Sequence, residues 1–70
     1  MRADKKKLEM AMARACMNRA DLIIATAMPE NTVKNVLYGK NVRPATLGRV
    51  AKTLGVDPTE LLAEGWDNAI

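Results

Sequence analysis

A cluster of hydrogen-bonding side chains lies between residues 30 and 38 of this 70-residue sequence. Its polar members carry carboxylate, amide, hydroxyl and amine groups: Glu30, Asn31, Thr32, Lys34 and Asn35. Val33, Val36 and Leu37 recur among them at helical spacing. A helix over this stretch would bury the apolar residues and direct donors and acceptors outward. The chemistry available there is recognition of a polar ligand by hydrogen bonds.

The rest of the sequence offers little for catalysis, metal binding or membrane insertion. It contains no histidine and one cysteine, Cys16, whereas a zinc site takes about four Cys, His or carboxylate ligands. No glycine-rich phosphate loop and no converging pair of carboxylates stands out, so we expect no enzyme, no cofactor and no small-molecule ligand. No apolar run is long enough for a transmembrane helix or a secretory signal, which predicts a cytoplasmic protein. We predict Cys16 to be a small core residue in a reducing compartment.

Charge is distributed unevenly along the chain. Residues 1–52 contain all eleven Lys and Arg against four acids, a net charge of +7. Residues 53–70 contain four acids and no Lys or Arg, a net charge of −4. This polarity is typical of a protein that binds a polyanion with its acidic end turned away. On charge alone, a domain that is merely polarised is an equal alternative.

Hydrophobic periodicity and capping residues predict five short helices. The first helix is expected at about residues 4–16, after the cap Asp4, and the second from Asn18 to about Ala27. The third should run from Pro29 or Glu30 to Tyr38, and the fourth from Pro44 to the residue before Gly55. Asp57-Pro58 opens the last helix, which includes Leu61 and Leu62. Gly39 and Gly55 supply the left-handed residue that commonly ends a helix. No stretch alternates as a strand would, so the predicted fold is all-α, a compact bundle.

Helices this short are not stable alone in water, so they must share one core. The predicted core residues are Leu8, Met12, Leu22, Val33, Val36, Leu37, Leu47, Val50, Leu54 and Leu61. Ala25 and Thr26 are expected on the inner face of the second helix. A chain of this length forms one small domain. We therefore predict a single domain over residues 1–70, with a basic start at 1–7 and an acidic tail at 63–70.

The second and third predicted helices are separated only by Ala27-Met28-Pro29. Two short helices with such a tight connection form a helix-turn-helix, here at about residues 18–38. The second of them projects its outer face, and the B-DNA major groove, about 12 Å wide, admits one α-helix. A turn between helices is common in bundles, but the polar stripe and the basic flanks make double-stranded DNA the expected partner.

Several residues occur at positions typical of one known family. They are Leu22, Thr32-Val33, Val36, Gly39-Lys40, Pro44, Thr46-Leu47, Val50-Ala51, Leu54-Gly55-Val56 and Glu60-Leu61-Leu62. On these residues the chain resembles the phage-repressor-like helix-turn-helix family, the group of the lambda and Xre repressors and Cro. The resemblance covers about residues 5–63 and implies a five-helix, lambda-repressor-like DNA-binding domain.

The chain departs from the family pattern around the helix-turn-helix. Arg19 stands where the family usually has a phosphate-binding Gln, which keeps a donor, and Leu37 replaces a frequent Glu. Ala27 stands where the family usually has a Gly in the turn. If Ala27 adopts the left-handed conformation, the backbone strain costs roughly 1 kcal/mol. In the alternative, the turn takes another shape that is set by Pro29. Pro29 also replaces a small polar residue, so it cannot cap the third helix through its side chain.

The resemblance, and a place near the exposed start of the third helix, make five residues candidates for base contacts. They are Glu30, Asn31, Thr32, Lys34 and Asn35. Asn can pair bidentately with adenine, Glu can accept from the cytosine amino group, and a Thr methyl can contact thymine. Lys34 could reach a base or a phosphate. In the alternative, Glu30 only favours the positive end of the helix dipole and Asn31 is solvated.

The candidates for phosphate contacts flank the third helix: Arg19, Tyr38, Lys40, Asn41 and Arg43. Arg19 opens the second helix, where backbone N–H groups also point outward, and the last three lie in the following loop. Tyr38 could donate its hydroxyl to a phosphate or simply pack. The run Lys5-Lys6-Lys7 is either a solvated helix start or a mobile basic arm that adds nonspecific affinity. Arg49 and Lys52 could simply solvate the fourth helix.

The leading hypothesis from the sequence is a sequence-specific DNA-binding transcriptional regulator, a repressor that occludes a promoter. A homodimer on a two-fold operator is expected, because it joins two half-sites about 34 Å apart and multiplies the discrimination. Trp66 could contribute to that dimer or cover the small core. The alternative is a protein-interaction module of the same fold, antitoxin-like or a regulatory partner, that grips another protein through its acidic end.

Overall fold

The computed structural model describes residues 1–63 of the chain. The elements are helix α1 at Lys5–Arg14, α2 at Arg19–Thr26, α3 at Glu30–Leu37, α4 at Pro44–Leu54 and a 3-10 turn at Pro58–Glu60. Within residues 1–63 β-pairing is limited to one isolated antiparallel bridge between Ala3 and Leu62. The predicted all-α fold and the helix-turn-helix formed by α2 and α3 are therefore confirmed. The predictions for Trp66 and for most of the acidic tail lie outside the described residues.

The starts of α1 and α2 follow the predicted capping residues. A side-chain oxygen of Asp4 accepts from the backbone N–H of Lys7 at 3.0 Å. The Asn18 side chain accepts from the N–H of Asp21 at 2.9 Å, and the Asp21 carboxylate accepts in return from the N–H of Asn18 at 3.1 Å. These bonds satisfy N–H groups that the first turn of a helix leaves without an internal partner.

The predicted fifth helix is only a single 3-10 turn. Asp57 and Glu60 cap it reciprocally, but the backbone leaves the helix at Leu61. The carbonyl oxygen of Leu61 accepts from the N–H of Asp4 at 2.8 Å, and the N–H of Ala63 donates to the carbonyl oxygen of Arg2 at 2.9 Å. Pairing with the start of the chain takes the backbone groups that a longer helix would have used, so the helix does not extend.

The core lies where the helical stripes predicted it. All predicted core residues are buried except Met12 and Leu37, which are half-buried at its edge. Ala11 and Ala51, which lie on the apolar stripes of α1 and α4, are also buried, and so are Ala3 and Met28, which the prediction omitted. On α2, Thr26 is buried and its hydroxyl donates to the carbonyl oxygen of Leu22 at 2.7 Å. Ala25 is exposed, so the expectation for its inward position was wrong.

The prediction of Cys16 as a core residue was wrong, because this side chain is exposed. α1 ends at Arg14, earlier than expected, and Cys16 follows with a left-handed φ of 55°. Its N–H bonds to the carbonyl oxygen of Ala13 at 3.1 Å, and the N–H of Met17 bonds to that of Met12 at 3.0 Å. Cys16 thus fills the C-terminal capping position that glycine usually occupies, which turns its side chain toward solvent.

Candidate nucleic-acid interface

The turn between α2 and α3 is built on a left-handed alanine. Ala27 has φ 57° and ψ 30°, and its N–H bonds to the carbonyl oxygens of Ile23 and Ile24 at 3.1 and 3.3 Å. Met28 then enters the core with 9% of its side chain exposed. Of the two turn shapes considered for Ala27, the left-handed one is formed, at a cost of roughly 1 kcal/mol. The buried Met28 anchors the turn, which the sequence did not indicate.

Helix α3 starts without a side-chain cap and is held by its valines. Pro29 makes no side-chain cap, as expected, and its carbonyl oxygen accepts from the N–H of Val33 at 3.2 Å. Val33 and Val36 are both 0% exposed. α2 packs against α3 and α4, so Val33 and Val36 are covered by the bundle and Leu37 is half-buried at its edge. The opposite face is therefore free for a ligand.

The structure places all five base-contact candidates at the surface. Glu30 and Asn31 are exposed, while Thr32, Lys34 and Asn35 are half-buried. In residues 1–63, no buried side-chain nitrogen or oxygen lacks a hydrogen-bond partner. The amides of Asn31 and Asn35 are thus not sealed inside the monomer, which is the minimum condition for their use in recognition.

An open groove of about 630 Å³ lies beside α3. Its lining comes from α3, the following loop, the start of α4 and the first residue: Thr32, Asn35, Asn41, Val42, Arg43, Thr46 and Met1. The groove brings two base-contact candidates together with two phosphate-contact candidates. Thr46 was not predicted as a site residue, although its position one turn into α4 after Arg43 could have suggested it. Nothing in the sequence pointed to Met1.

The loop after α3 is held at both of its ends. At its start Gly39 has φ 73°, and the N–H groups of Gly39 and Lys40 bond to the carbonyl oxygens of Val36 and Asn35 at 3.1 and 2.9 Å. The predicted glycine stop for α3 is therefore confirmed. Farther along, the N–H of Val42 donates to the carbonyl oxygen of Met1 at 2.8 Å.

The three loop candidates for phosphate contacts, Lys40, Asn41 and Arg43, are all exposed. The side-chain oxygen of Asn41 accepts from the Met1 amino group at 2.6 Å. This bond uses the acceptor of the amide and leaves its NH₂ group, the donor that a phosphate needs.

Arg19 and Tyr38, like Lys40, do not line the groove. Arg19 is exposed at the first position of α2, next to the capping residue Asn18. Tyr38 is 53% exposed, and Nζ of Lys5 lies 5.9 Å from the centroid of its ring. The ring is thus not packed away. The residues Lys5-Lys6-Lys7 form the first turn of α1, so the interpretation as a mobile arm was wrong.

The sequence of the helix-turn-helix and its surroundings matches a known protein family. Residues 7–63 match the Cro/C1-type helix-turn-helix (HTH) DNA-binding domain. The chain belongs to this family. As a Cro/C1-type domain it is a DNA-binding regulator, and domains of this family are typically not enzymes. The resemblance to the phage-repressor and Xre group is confirmed.

The Cro/C1-type fold also occurs inside a much larger solved protein. A mutant of hydroxyethylphosphonate dioxygenase matches 91% of this chain with 26% sequence identity and a TM-score of 0.75. The match covers 14% of the dioxygenase chain, so the similarity concerns the helical fold of one part of that enzyme. No curated protein is significantly similar to this chain in sequence.

Residues 1–63 of this Cro/C1-type domain hold neither a metal-binding cluster nor a membrane-spanning helix. No group of three or more His, Cys, Asp or Glu side chains in this part could hold a metal ion. None of its helices has both the length and the apolar character needed to cross a membrane.

Proposed function

We propose that this Cro/C1-type domain is a sequence-specific transcriptional repressor that inserts α3 into the major groove of double-stranded DNA. One observation carries the proposal: α3 buries Val33 and Val36 completely and leaves Glu30 and Asn31 exposed. A helix held in this way can enter a groove without disturbing its own packing. The proposal places the function in the cytoplasm and in a single domain over residues 1–70.

The exposed side chains of α3 have the chemistry for reading bases. The amides of Asn31 and Asn35 lie one turn apart, and each can pair bidentately with the N6 and N7 groups of an adenine. Glu30 can accept from the amino group of cytosine, and the Thr32 methyl can pack on a thymine methyl. Lys34 can donate to a base edge or to a phosphate.

Phosphate contacts are proposed on both sides of α3. Lys40, Asn41 and Arg43 extend from the loop after α3, and Arg19 extends from the start of α2. Tyr38 adds a hydroxyl at the end of α3. These donors would set the orientation of the domain on the duplex and supply affinity that is independent of sequence.

Repression by occlusion requires a longer site than one α3 helix can read. We infer a homodimer on a two-fold operator, because two half-sites about 34 Å apart multiply the discrimination of a single helix. A dimer of this kind covers a promoter without any added domain.

Selection of bound duplexes from a random pool tests the function directly. The expected result is an enriched motif that occurs twice in inverted orientation, with centres about one helical turn apart or a multiple of it. A single enriched half-site would contradict the dimer, and an unenriched pool would contradict sequence-specific binding.

A second candidate function is a protein-interaction module of the same fold, antitoxin-like or a regulatory partner. The observation in its favour is exposed apolar surface outside the groove, at Ile24 with 78% and Met10 with 59% of the side chain exposed. Binding to duplex DNA across a salt series separates the two candidates. Affinity for DNA falls linearly on a log–log plot when phosphates are contacted, whereas a pure protein binder shows no measurable affinity for the duplex.

A further inference from the structure

Residues 1–4 join two parts of the fold that are far apart in sequence. At one end, the carbonyl oxygen of Met1 accepts from the N–H of Val42 at 2.8 Å. At the other end, the carbonyl oxygen of Arg2 accepts from the N–H of Ala63 at 2.9 Å. The N–H of Asp4 donates to the carbonyl oxygen of Leu61 at 2.8 Å. The segment thus runs from the loop after α3 to the last described residues.

The middle of this segment packs directly on the turn that ends α3. Ala3 is only 3% exposed. Its carbonyl oxygen would lie 3.4 Å from a Cβ built on Gly39, which itself has a left-handed φ of 73°. A side chain larger than the Ala3 methyl has no free volume in this position, because protein interiors are close-packed.

We propose that residues 1–4 position the loop at residues 39–43 for phosphate binding, with Ala3 as the central positioning residue. The inference rests on the proposed function, since it assigns the phosphate contacts to Lys40, Asn41 and Arg43. It adds an element that holds the loop through a backbone bond, from the N–H of Val42 to the carbonyl oxygen of Met1.

The physical reason is preorganisation. The helix-capping bonds of Gly39 and Lys40 fix the start of the loop, but Val42 obtains its partner from residue 1. An exposed loop that is not fixed samples many conformations, and binding then has to order it, which lowers affinity. Holding the loop in advance avoids that loss for each cationic side chain that the loop carries.

The segment at residues 1–4 should contribute to affinity for DNA and not to discrimination between DNA sequences. α3 is fixed by Val33 and Val36 in the core, so Asn31 keeps its position when the loop is loosened. Loss of the segment should therefore weaken binding to all duplexes alike. A defect in the core would instead lower the folded fraction and leave the salt dependence of the folded protein unchanged.

The substitution Ala3→Leu tests this proposal, with Ala13→Leu as the matched control on the exposed face of α1. Both changes add the same neutral volume, so charge is constant. Hydrogen exchange at the Val42 N–H reports on the loop, and the Leu22 N–H, which bonds to the Asn18 carbonyl oxygen at 3.0 Å, reports on α2. Affinities for a selected and a random duplex are measured over a salt series.

For Ala3→Leu we expect faster exchange at Val42 with unchanged exchange at Leu22. Binding to both duplexes should weaken by about tenfold, and the log–log salt slope should fall by about one or two, as expected for one or two lost phosphate contacts. The ratio of the two affinities should stay the same, and Ala13→Leu should behave as the wild type. If Ala3→Leu does not fold, Ala3→Gly provides the milder change in the same direction.

The inference is overturned if hydrogen exchange at the Val42 N–H becomes faster while the affinity for DNA and the salt slope stay unchanged. It is also overturned if exchange at the Val42 N–H is unchanged in both Ala3→Leu and Ala3→Gly. Failure of the proposed function has a different signature. In that case the wild-type protein itself would show no salt-dependent binding to either duplex.

Discussion

The backbone N–H of Lys40 donates to the carbonyl oxygen of Asn35 at 2.9 Å. This bond joins a candidate for phosphate binding to a candidate for base reading, across the left-handed Gly39. Because it closes the last turn of α3, the loop leaves the helix in one direction. The spacing between the base-reading face and the cationic loop is therefore set by backbone geometry and not by flexible side chains.

Replacing Asn31 by Ala should affect sequence discrimination. Asn31 is exposed on α3, and loss of a bidentate base contact costs about 1–3 kcal/mol on the selected duplex. Binding to a random duplex should change little. Fluorescence anisotropy on both duplexes measures the difference, with Glu9→Ala on the exposed face of α1 as the control. Equal losses on both duplexes would exclude base reading by Asn31.

Replacing Arg43 by Ala should weaken binding to every duplex by a similar factor. Arg43 is exposed beside the groove, and removal of one phosphate contact reduces the log–log salt slope by about one. Lys52→Ala removes the same charge from the last turn of α4 and serves as the control for net charge. A slope that decreases equally in both variants would mean that Arg43 acts only through overall charge.

Replacing Ala27 by Gly should stabilise the fold. Ala27 is exposed and left-handed, so glycine removes the backbone strain without a loss of packing. The expected gain in the free energy of unfolding is roughly 0.5–1 kcal/mol, after the added entropy of the unfolded chain is subtracted. Urea unfolding measures it. Ala25→Gly, in the last turn of α2, should have the opposite sign, with a loss of about 0.5–1 kcal/mol.

A carboxylate at the C-terminal 3-10 turn gives a pH-dependent contribution to stability. Hydrogen bonds from the Thr59 hydroxyl and from the Thr59 N–H lower the pKa of Asp57 below its ordinary value of 3.8. A lowered pKa favours the folded state at pH values above 3.8, and this contribution is lost as the pH falls through the lowered pKa. Neutral pH therefore retains the full contribution.

The Thr59→Val variant removes the hydroxyl donor, so the pKa of Asp57 should rise toward 3.8. Carboxyl chemical shifts followed through an acid titration measure this pKa. Thr53→Val, the same exchange on α4, should leave it unchanged. A pKa of Asp57 that does not respond to Thr59→Val would show that the hydroxyl bond at 2.6 Å has no influence in solution.

The candidate site was largely predictable because its parts follow local rules. Val33 and Val36 recur at helical spacing, so the buried face of α3, and hence its polar face, could be assigned. The conformation of Ala27 was left between two alternatives, since a short turn depends on what its neighbours bury. Burial of Met28 decided it.

Groove residues that come from remote positions could not be predicted. Met1 meets Thr32 and Asn41 only because the chain start returns to the loop after α3. No periodicity or capping signal extends over such a separation. A second long-range pairing, of Arg2 and Asp4 with Ala63 and Leu61, shortened the fifth helix.

The sequence was sufficient for several helix boundaries, such as the cap Asn18 and the left-handed Gly39, because these depend on backbone preferences within a few residues. It also determined which face of α3 is apolar. Tertiary packing was needed to expose Cys16, to bury Met28, and to pair residues 1–4 with Val42 and with residues 61–63. These outcomes depend on contacts between distant segments, whose free energy is realised only when all the helices pack together.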